Sequence, residues 1–219
     1  MRTSTFAVAA SAATALAASA PAALAAPPTP HQLTISAAPS TVVFGKSVAI
    51  TGKLTGTNSA GETITLSDDP FPFGNFQKLA TTSAAVDGAY ALTAFHTVNT
   101  RYETDAKSKS PATSPIATVL VAPKVGLRVS DKTPAAGHRV TFKGTVTPAH
   151  DGQTISLQRR TSSGKWKTVA TSTLTDAGTA FSRYSLRRKV SSSGTYRVLK
   201  PADADHARGQ SSKRRLTVH

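Results

Sequence analysis

The sequence predicts an all-β protein built from two tandem antiparallel β-sandwiches behind a cleaved signal peptide. Three features of its 219 residues carry this prediction: one segment occurs twice, apolar and polar residues alternate within each copy, and turn residues separate these runs. The chain has no Cys, which excludes a disulfide-stapled scaffold and any Cys-ligated zinc or iron–sulfur site.

Residues 1–25 are predicted to be a secretory signal peptide. Arg2 supplies a positive charge, an uncharged Ala-rich stretch follows, and Ala23-Leu24-Ala25 is an A-x-A cleavage site. A membrane-spanning helix is the poorer interpretation, because Pro21 interrupts the stretch and Ala is only weakly hydrophobic. The sequence therefore predicts an extracellular, secreted protein, either released or held on the cell envelope without a covalent bond.

The duplication defines two domains of about 90 residues, 27–121 and 127–219, with a short linker at 122–126. Similar segments occur in the same order in both copies, and small loop insertions account for the drift between them. The most similar pairs are 45–54 with 137–146, 61–66 with 152–157, and 76–81 with 166–171. Pro123 restricts the linker, so we expect two closely joined domains with limited bending.

Each copy shows the period of two that marks strands with one face on a core. Turn residues such as Asp87-Gly88 and Ser162-Ser163-Gly164 bound the runs. About seven short strands in roughly 100 residues are typical of an immunoglobulin-like sandwich. The apolar residues that share one phase are Val48, Ile50 and Leu54 in the first copy, and Val140, Phe142 and Val146 in the second.

Several motifs recur in a fixed order: Gly-x-x-Val-x-Φ-x-Gly, then Gly-x-Thr-Ile-x-Leu, then an aromatic residue with Lys, and finally Tyr196-Arg197-Val198 with an Ala-Asp loop and Ser211-Ser212. This order resembles the bacterial immunoglobulin-like repeats of secreted actinobacterial proteins. Copy one departs from the pattern at Tyr102-Glu103-Thr104. The resemblance implies an adhesion, spacer or cell-surface recognition module without catalytic residues or a cofactor.

The formal net charge of +15 is concentrated in the second copy. Residues 27–123 contain six Lys and Arg against six Asp and Glu, whereas residues 124–219 contain 19 against five. A shared fold does not require either distribution of charge, so we expect the difference to reflect a partner. The expected partner is an anionic cell-envelope polymer, either teichoic acid or acidic polysaccharide, or else a protein. A merely solubilising surface is the alternative. The predicted polyanion-binding residues are Arg159, Arg160, Lys165, Lys167, Arg187, Arg188, Lys189, Lys213, Arg214 and Arg215.

Other partners have weaker support. Specific nucleic-acid binding is not expected, because no base-stacking motif or recognition helix appears and the chain carries an export signal. Phe71 and Phe73, placed between prolines at a hairpin tip, either contact a partner or fold back over the sandwich end. The adjacent Asp68 and Asp69 are expected in a solvated turn, where they would permit weak head-to-tail self-association with Arg159 and Arg160 of another molecule.

Catalytic and metal motifs are weak throughout the sequence. The six His residues show no H-x-x-x-H spacing, no G-x-S-x-G is present, and Ser162 with Lys165 lies in a predicted turn. Asp68, Asp69 and Asp87 lack the D-x-D-x-D-G pattern of a calcium loop. The prediction is a secreted non-enzymatic binding or adhesion protein with no metal and no cofactor. A structural spacer or self-associating surface protein, and an accessory or inhibitor protein of a secreted hydrolase, are the alternatives.

Overall fold

A computed structural model of the chain describes residues 27–107 and 110–219. The predicted signal peptide, residues 1–25, lies outside the described residues. All regular structure in the described part is β, arranged as 20 strands in four sheets. Every strand pair lies within residues 32–122 or within residues 124–216, so Pro123 divides the chain into a first and a second half.

The first half holds ten strands in two sheets. One sheet has the order β1-β4-β2 with β7 also on β4, and the other has the order β3-β10-β8-β5-β6 with β9 on β8. All pairs are antiparallel except β3 with β10. The strands are β1 (Gln32–Leu33), β2 (Ser36–Ala38), β3 (Thr41–Val43), β4 (Val48–Thr55), β5 (Thr63–Pro70), β6 (Gln77–Ser83), β7 (Ala89–Ala94), β8 (Thr100–Ala106), β9 (Ala112–Thr113) and β10 (Ala117–Ala122).

The second half also has ten strands in two sheets, with five strands in each sheet and wholly antiparallel pairing. Its sheets have the orders β11-β13-β17-β16, with β12 on β13, and β15-β14-β18-β19, with β20 on β18. The strands are β11 (Lys124–Val125), β12 (Arg128–Val129), β13 (His138–Thr147), β14 (Thr154–Arg160), β15 (Trp166–Thr173), β16 (Thr175–Asp176), β17 (Ser182–Val190), β18 (Gly194–Lys200), β19 (Gly209–Gln210) and β20 (Arg214–Leu216).

Burial follows the predicted alternation. In β4 the side chains of Val48, Ile50 and Leu54 are buried, while Ala49, Thr51 and Lys53 are exposed. The same phase recurs in β13. In each half, buried residues from both sheets form an apolar core, as expected for a sandwich. The largest buried side chains of the second core include Phe142, Ile155, Leu157, Leu174 and Leu216.

One tyrosine–carbonyl contact occurs in both halves. The Tyr90 hydroxyl donates to the Thr34 carbonyl across 2.5 Å, and the Tyr184 hydroxyl donates to the Gly126 carbonyl. Each tyrosine stands opposite a glycine, Gly52 or Gly144, where a Cβ would collide with that carbonyl oxygen and with the tyrosine ring or hydroxyl. Glycine at these two positions therefore allows the close approach that the hydrogen bond needs.

The residues expected to form a linker are largely in strands. Ala122 ends β10 and Lys124–Val125 forms β11, which leaves only Pro123 between them. Beyond this junction, a loop of the second half contacts the first half. The Ala207 amide donates to the Val121 carbonyl, and the Asn99 amide donates to the Asp205 carbonyl. The loop from Pro201 to Arg208 is therefore held against the first half.

Candidate functional site

One outer face of the second half is strongly basic. Because directly opposite residues in antiparallel strands point to the same side, β13, its partner β12 and β17 together present six exposed cationic side chains. We define the basic face as Arg128, Arg139, Lys143, Arg183, Arg187 and Lys189. Only Arg187 and Lys189 of this set were among the predicted binding residues.

The charges of the basic face are not neutralised within the protein. Residues 124–219 are all described, and Lys200 is the only Lys or Arg among them in an ion pair with a carboxylate. Arg139 stands directly opposite Lys189, and Arg128 stands directly opposite Lys143. Like charges in such pairs oppose folding, so this surface carries a cost that an anionic ligand would offset.

The equivalent face of the first half carries far less charge, with Lys53 as the one cation on β4 and β7. Its two strands, β4 and β7, pair in the same way around Gly52 and Tyr90. Where β17 carries Arg183 and Arg187, β7 carries Ala89 and Thr93. The fold therefore forms without cations at these two positions, and the basic face belongs to the second half.

An open groove of about 620 Å³ extends the basic face. Gly126 and Gly144 line it, and four cationic side chains surround it: Arg128, Lys143, Arg183 and Arg214. The Arg214 guanidinium also donates from Nε to the Leu127 carbonyl across 3.2 Å. The groove can accept an extended anionic chain or a branch of one, whereas a deep pocket for a small molecule would be more enclosed.

The predicted hairpin of β14 and β15 forms a second basic region. Arg159 is directly opposite Lys167, and Arg160, Lys165 and Lys167 are exposed. An open groove of about 530 Å³ lies beside Arg159 and Arg160. This region lies on the opposite sheet from the basic face, so the predicted residues do not form one continuous site.

Several predicted binding residues hold the fold together. Arg159 is half-buried and donates from Nη2 to Ser192 Oγ and to the Ser193 carbonyl, at 2.8 and 2.7 Å. Arg188 points inward from β17 and donates to the Val169 carbonyl on β15. One nitrogen of each guanidinium is therefore committed to a contact within the second half. Lys213 and Arg215 are exposed near and on β20.

The aromatic tip of the first half is half-buried. The rings of Phe71 and Phe73 meet edge to face at 5.7 Å, and the Arg101 guanidinium lies 4.0 Å from the centre of the Phe73 ring. The rings thus pack on each other and on β8, and their exposed parts leave a limited apolar surface for a partner.

The expectation of a solvated acidic turn at Asp68 and Asp69 is wrong. Both residues belong to β5 and are buried, with exposures of 8% and 4%. Asp69 Oδ1 accepts hydrogen bonds from the Gly74 and Asn75 amides, so it organises the following loop. Asp68 lies 3.2 Å from the His96 ring. Buried carboxylates with these partners do not offer a surface for head-to-tail association.

A cluster that sequence spacing did not reveal lies where the second half contacts the first. We define the junction cluster as His150, Asp203, Asp205 and His206. One ligand-type atom from each of these side chains lies within 4.8 Å of the others. The two histidine residues are 94% and 98% buried. The centres of their rings are 4.7 Å apart. Asp203-Ala-Asp205-His206 is the only local signal, and His150 joins it through tertiary folding.

Each histidine of the junction cluster is oriented by a backbone carbonyl. His150 Nδ1 donates to the Pro148 carbonyl at 2.8 Å, and His206 Nε2 donates to the Thr97 carbonyl at 2.8 Å. A carbonyl oxygen can only accept, so these nitrogens carry the protons. The other ring nitrogens, His150 Nε2 and His206 Nδ1, are buried without a hydrogen-bond partner. Burial lowers the pKa of His150 and so favours its neutral ring.

Lys200 supplies the one positive charge beside the junction cluster. Its side chain is fully buried and its ammonium contacts Asp203 Oδ2. Burial opposes ionisation of Asp203, but hydrogen bonds from Lys200 and Gln153 hold the pKa of Asp203 below its ordinary value. The cluster therefore contains two carboxylates against one ammonium.

No protein-family model matches this chain, and a search of curated proteins finds no matching relative. Across residues 27–107 and 110–219, no helix has the length and apolar character that crossing a membrane requires. The basic face and the junction cluster are the two features of the described residues from which function can be inferred.

Proposed function

We propose that this chain is a secreted, non-enzymatic protein of two immunoglobulin-like domains whose second domain binds an anionic polymer of the cell envelope. The single observation that carries the proposal is the basic face: six exposed cations on one sheet of the second half. Teichoic acid and acidic polysaccharide are the candidate ligands, since both present repeated negative charges to such a surface.

The contrast between the halves supports a function for these charges. General solubility would be served by cations spread over both halves, yet the first half has no net charge in residues 27–123. The equivalent strands carry Ala89 and Thr93 in place of Arg183 and Arg187. Because adjacent like charges oppose folding, a face of six unpaired cations is best explained by a ligand that compensates them.

The geometry suits a polymer. Outward side chains on one strand repeat every second residue, about 7 Å apart, and neighbouring strands are about 4.8 Å apart. Arg183, Arg187 and Lys189 follow β17, with Lys143 and Arg139 beside them on β13. The basic groove continues from this array at Arg128 and Arg214. A flexible anionic chain could engage several of these cations together.

The experiment is cosedimentation of the protein with bacterial envelope at low and high salt. The test variant is R183Q/R187Q/K189Q, which removes three charges from the basic face. The matched control is K46Q/K53Q/K78Q, which removes three exposed, unpaired lysines of the first half. We expect the test variant to lose most of its binding at low salt and the control to keep it, with all binding weakened at high salt.

Two results would contradict this assignment. Equal loss in both variants would mean that net charge alone drives association. Loss only in R160Q/K165Q/K167Q would move the site to the β14–β15 hairpin. Comparison of envelope with and without its phosphate polymers then separates teichoic acid from acidic polysaccharide. Absence of envelope binding by the unmodified protein would instead favour a spacer.

A further inference from the structure

We propose that the junction cluster is a binding site for a divalent transition-metal ion, with Zn²⁺ as its representative. The site offers one nitrogen from each of two imidazoles and one oxygen from each of two carboxylates, all within 4.8 Å of one another. This mixed set suits Zn²⁺, which binds His nitrogen and Asp oxygen and is usually four-coordinate and tetrahedral. Ca²⁺ and Mg²⁺ prefer more ligands and oxygen alone.

The two histidines are prepared to act as ligands. Each ring donates one N–H to a backbone carbonyl, Pro148 for His150 and Thr97 for His206. This second-shell arrangement, typical of metal-bound histidine, sets the tautomer and leaves the lone pair of the opposite nitrogen for the metal. Those opposite nitrogens are the buried atoms without a hydrogen-bond partner, and a buried polar atom in that state normally has a ligand or another explanation.

The carboxylates lie close to these nitrogens but do not hydrogen-bond to them. Asp205 Oδ1 is 3.1 Å from His206 Nδ1, and Asp203 Oδ2 is 3.6 Å from His150 Nε2. Zinc–ligand bonds are about 2.0 to 2.2 Å, so four tetrahedral ligands are separated by about 3.4 Å. A contraction of up to about 1.4 Å between the most distant ligand atoms would bring the cluster to that spacing. Asp203 and Asp205 are partly exposed, which gives an ion a route from solvent.

Lys200 competes with a metal ion for Asp203. Its ammonium bonds Asp203 Oδ2, but the two carboxylates still exceed it by one negative charge. A dication would compensate this excess while Lys200 remains on, or moves away from, Asp203. The rival interpretation is a purely structural ion-pair cluster in which Lys200 is the only cation required. The metal site and the ion-pair cluster predict different effects of removing the Lys200 ammonium on Zn²⁺ binding.

Metal binding here would also stabilise the contact between the halves. His206 is joined to Thr97 and the Asp205 carbonyl accepts from Asn99, so two candidate ligands are already tied to the first half. An ion that orders the loop from Pro201 to Arg208 therefore strengthens these contacts. The inference is independent of polymer binding, which uses a different surface.

The test is titration of the full chain, produced without a histidine tag and freed of metal by a chelator, with Co²⁺ and then Zn²⁺. We expect one equivalent of Co²⁺ to give visible absorption of tetrahedral character and Zn²⁺ to displace it. H150Q and H206Q should each weaken binding by at least about 100-fold, because even second-shell losses cost 10- to 100-fold. H138Q removes an exposed histidine and should bind as the unmodified protein does.

D205N and K200M test the metal site even if replacement of a buried histidine unfolds the protein. D205N changes a partly exposed ligand and should weaken Co²⁺ binding in a folded protein. K200M should bind Zn²⁺ more tightly, since it removes a nearby positive charge, and Zn²⁺ should raise its melting temperature. Absence of the absorption band, or equal binding by the unmodified protein and the folded ligand variants, would overturn the assignment and leave an ion-pair cluster.

Discussion

Lys189 on β17 stands directly opposite Arg139 on β13, and neither side chain has a carboxylate partner. Both are exposed on the basic face. Two like charges at this spacing destabilise a sheet by a few tenths of a kcal/mol or more, so the pair opposes folding while it favours an anionic ligand. The basic face thus places stability and binding in opposition.

Reversal of one charge in this pair should separate the two effects. We expect K189E to raise the free energy of unfolding by about 0.5 kcal/mol, because a cross-strand attraction replaces a repulsion. The same variant should bind envelope more weakly. Urea denaturation at low salt and cosedimentation measure the two changes. K46E makes the same change of charge in the first half and should alter neither quantity; a loss of stability in K189E would contradict the argument.

The two equivalent tyrosine hydroxyls should both stabilise the fold. Y184F removes the donor to the Gly126 carbonyl and should lower the free energy of unfolding by about 1 kcal/mol. Y90F removes the donor to the Thr34 carbonyl and also the hydrogen bond with Thr104 Oγ1, so it should lower the free energy of unfolding by more. Denaturant titration provides the measurement. Y102F is the matched control, because the Tyr102 hydroxyl is buried without a hydrogen-bond partner and its removal should be neutral or stabilising.

Gly144 should not tolerate a side chain. In G144A the new Cβ would meet the Gly126 backbone and the Tyr184 hydroxyl, and the backbone cannot yield as a flexible side chain can. Overpacking of this kind costs about 1 to 3 kcal/mol, so we expect a lower melting temperature. G74A places its Cβ in open space and should leave the melting temperature unchanged. Equal melting temperatures for the two variants would show that the sheet adjusts.

The stability of the first half should fall as the solution becomes acidic, in part through His96. Burial lowers the pKa of His96 despite the nearby Asp68 carboxylate, so the unfolded chain binds a proton more readily than the folded one. Stability is therefore complete above the ordinary histidine pKa of about 6.5 and declines as pH falls from there toward the folded value. Urea denaturation between pH 8 and pH 5 measures the effect, and H96Q should show a shallower decline. An equally steep decline in H96Q would exclude His96 as the cause.

Much of the fold could be predicted from local patterns. Val48 and Ile50 are buried in β4 because a strand alternates its faces, and this alternation is readable over a few residues. The turn Ser162-Ser163-Gly164 was also predictable from its residue types, and it joins β14 to β15. The difference in charge between the halves was found by counting the charged residues in the sequence.

Other features depended on neighbours distant in sequence. Arg187 and Arg188 look alike as sequence, yet Arg187 is exposed on the basic face while Arg188 reaches across to the Val169 carbonyl. The adjacent acids of the first half appeared to be a turn, but a longer strand carries them into contact with His96 and the Gly74 amide. In both cases the partner that decides the role of the side chain lies on another strand or loop.

The sequence by itself determined the all-β character, the alternating core and the concentration of charge in residues 124–219, because these depend on composition and on side-chain direction along a single strand. Only the tertiary structure decided which cations share a face and that His150 meets His206. Those relationships depend on how strands pair and how a loop folds over the junction, and no spacing along the chain records a distance of that kind.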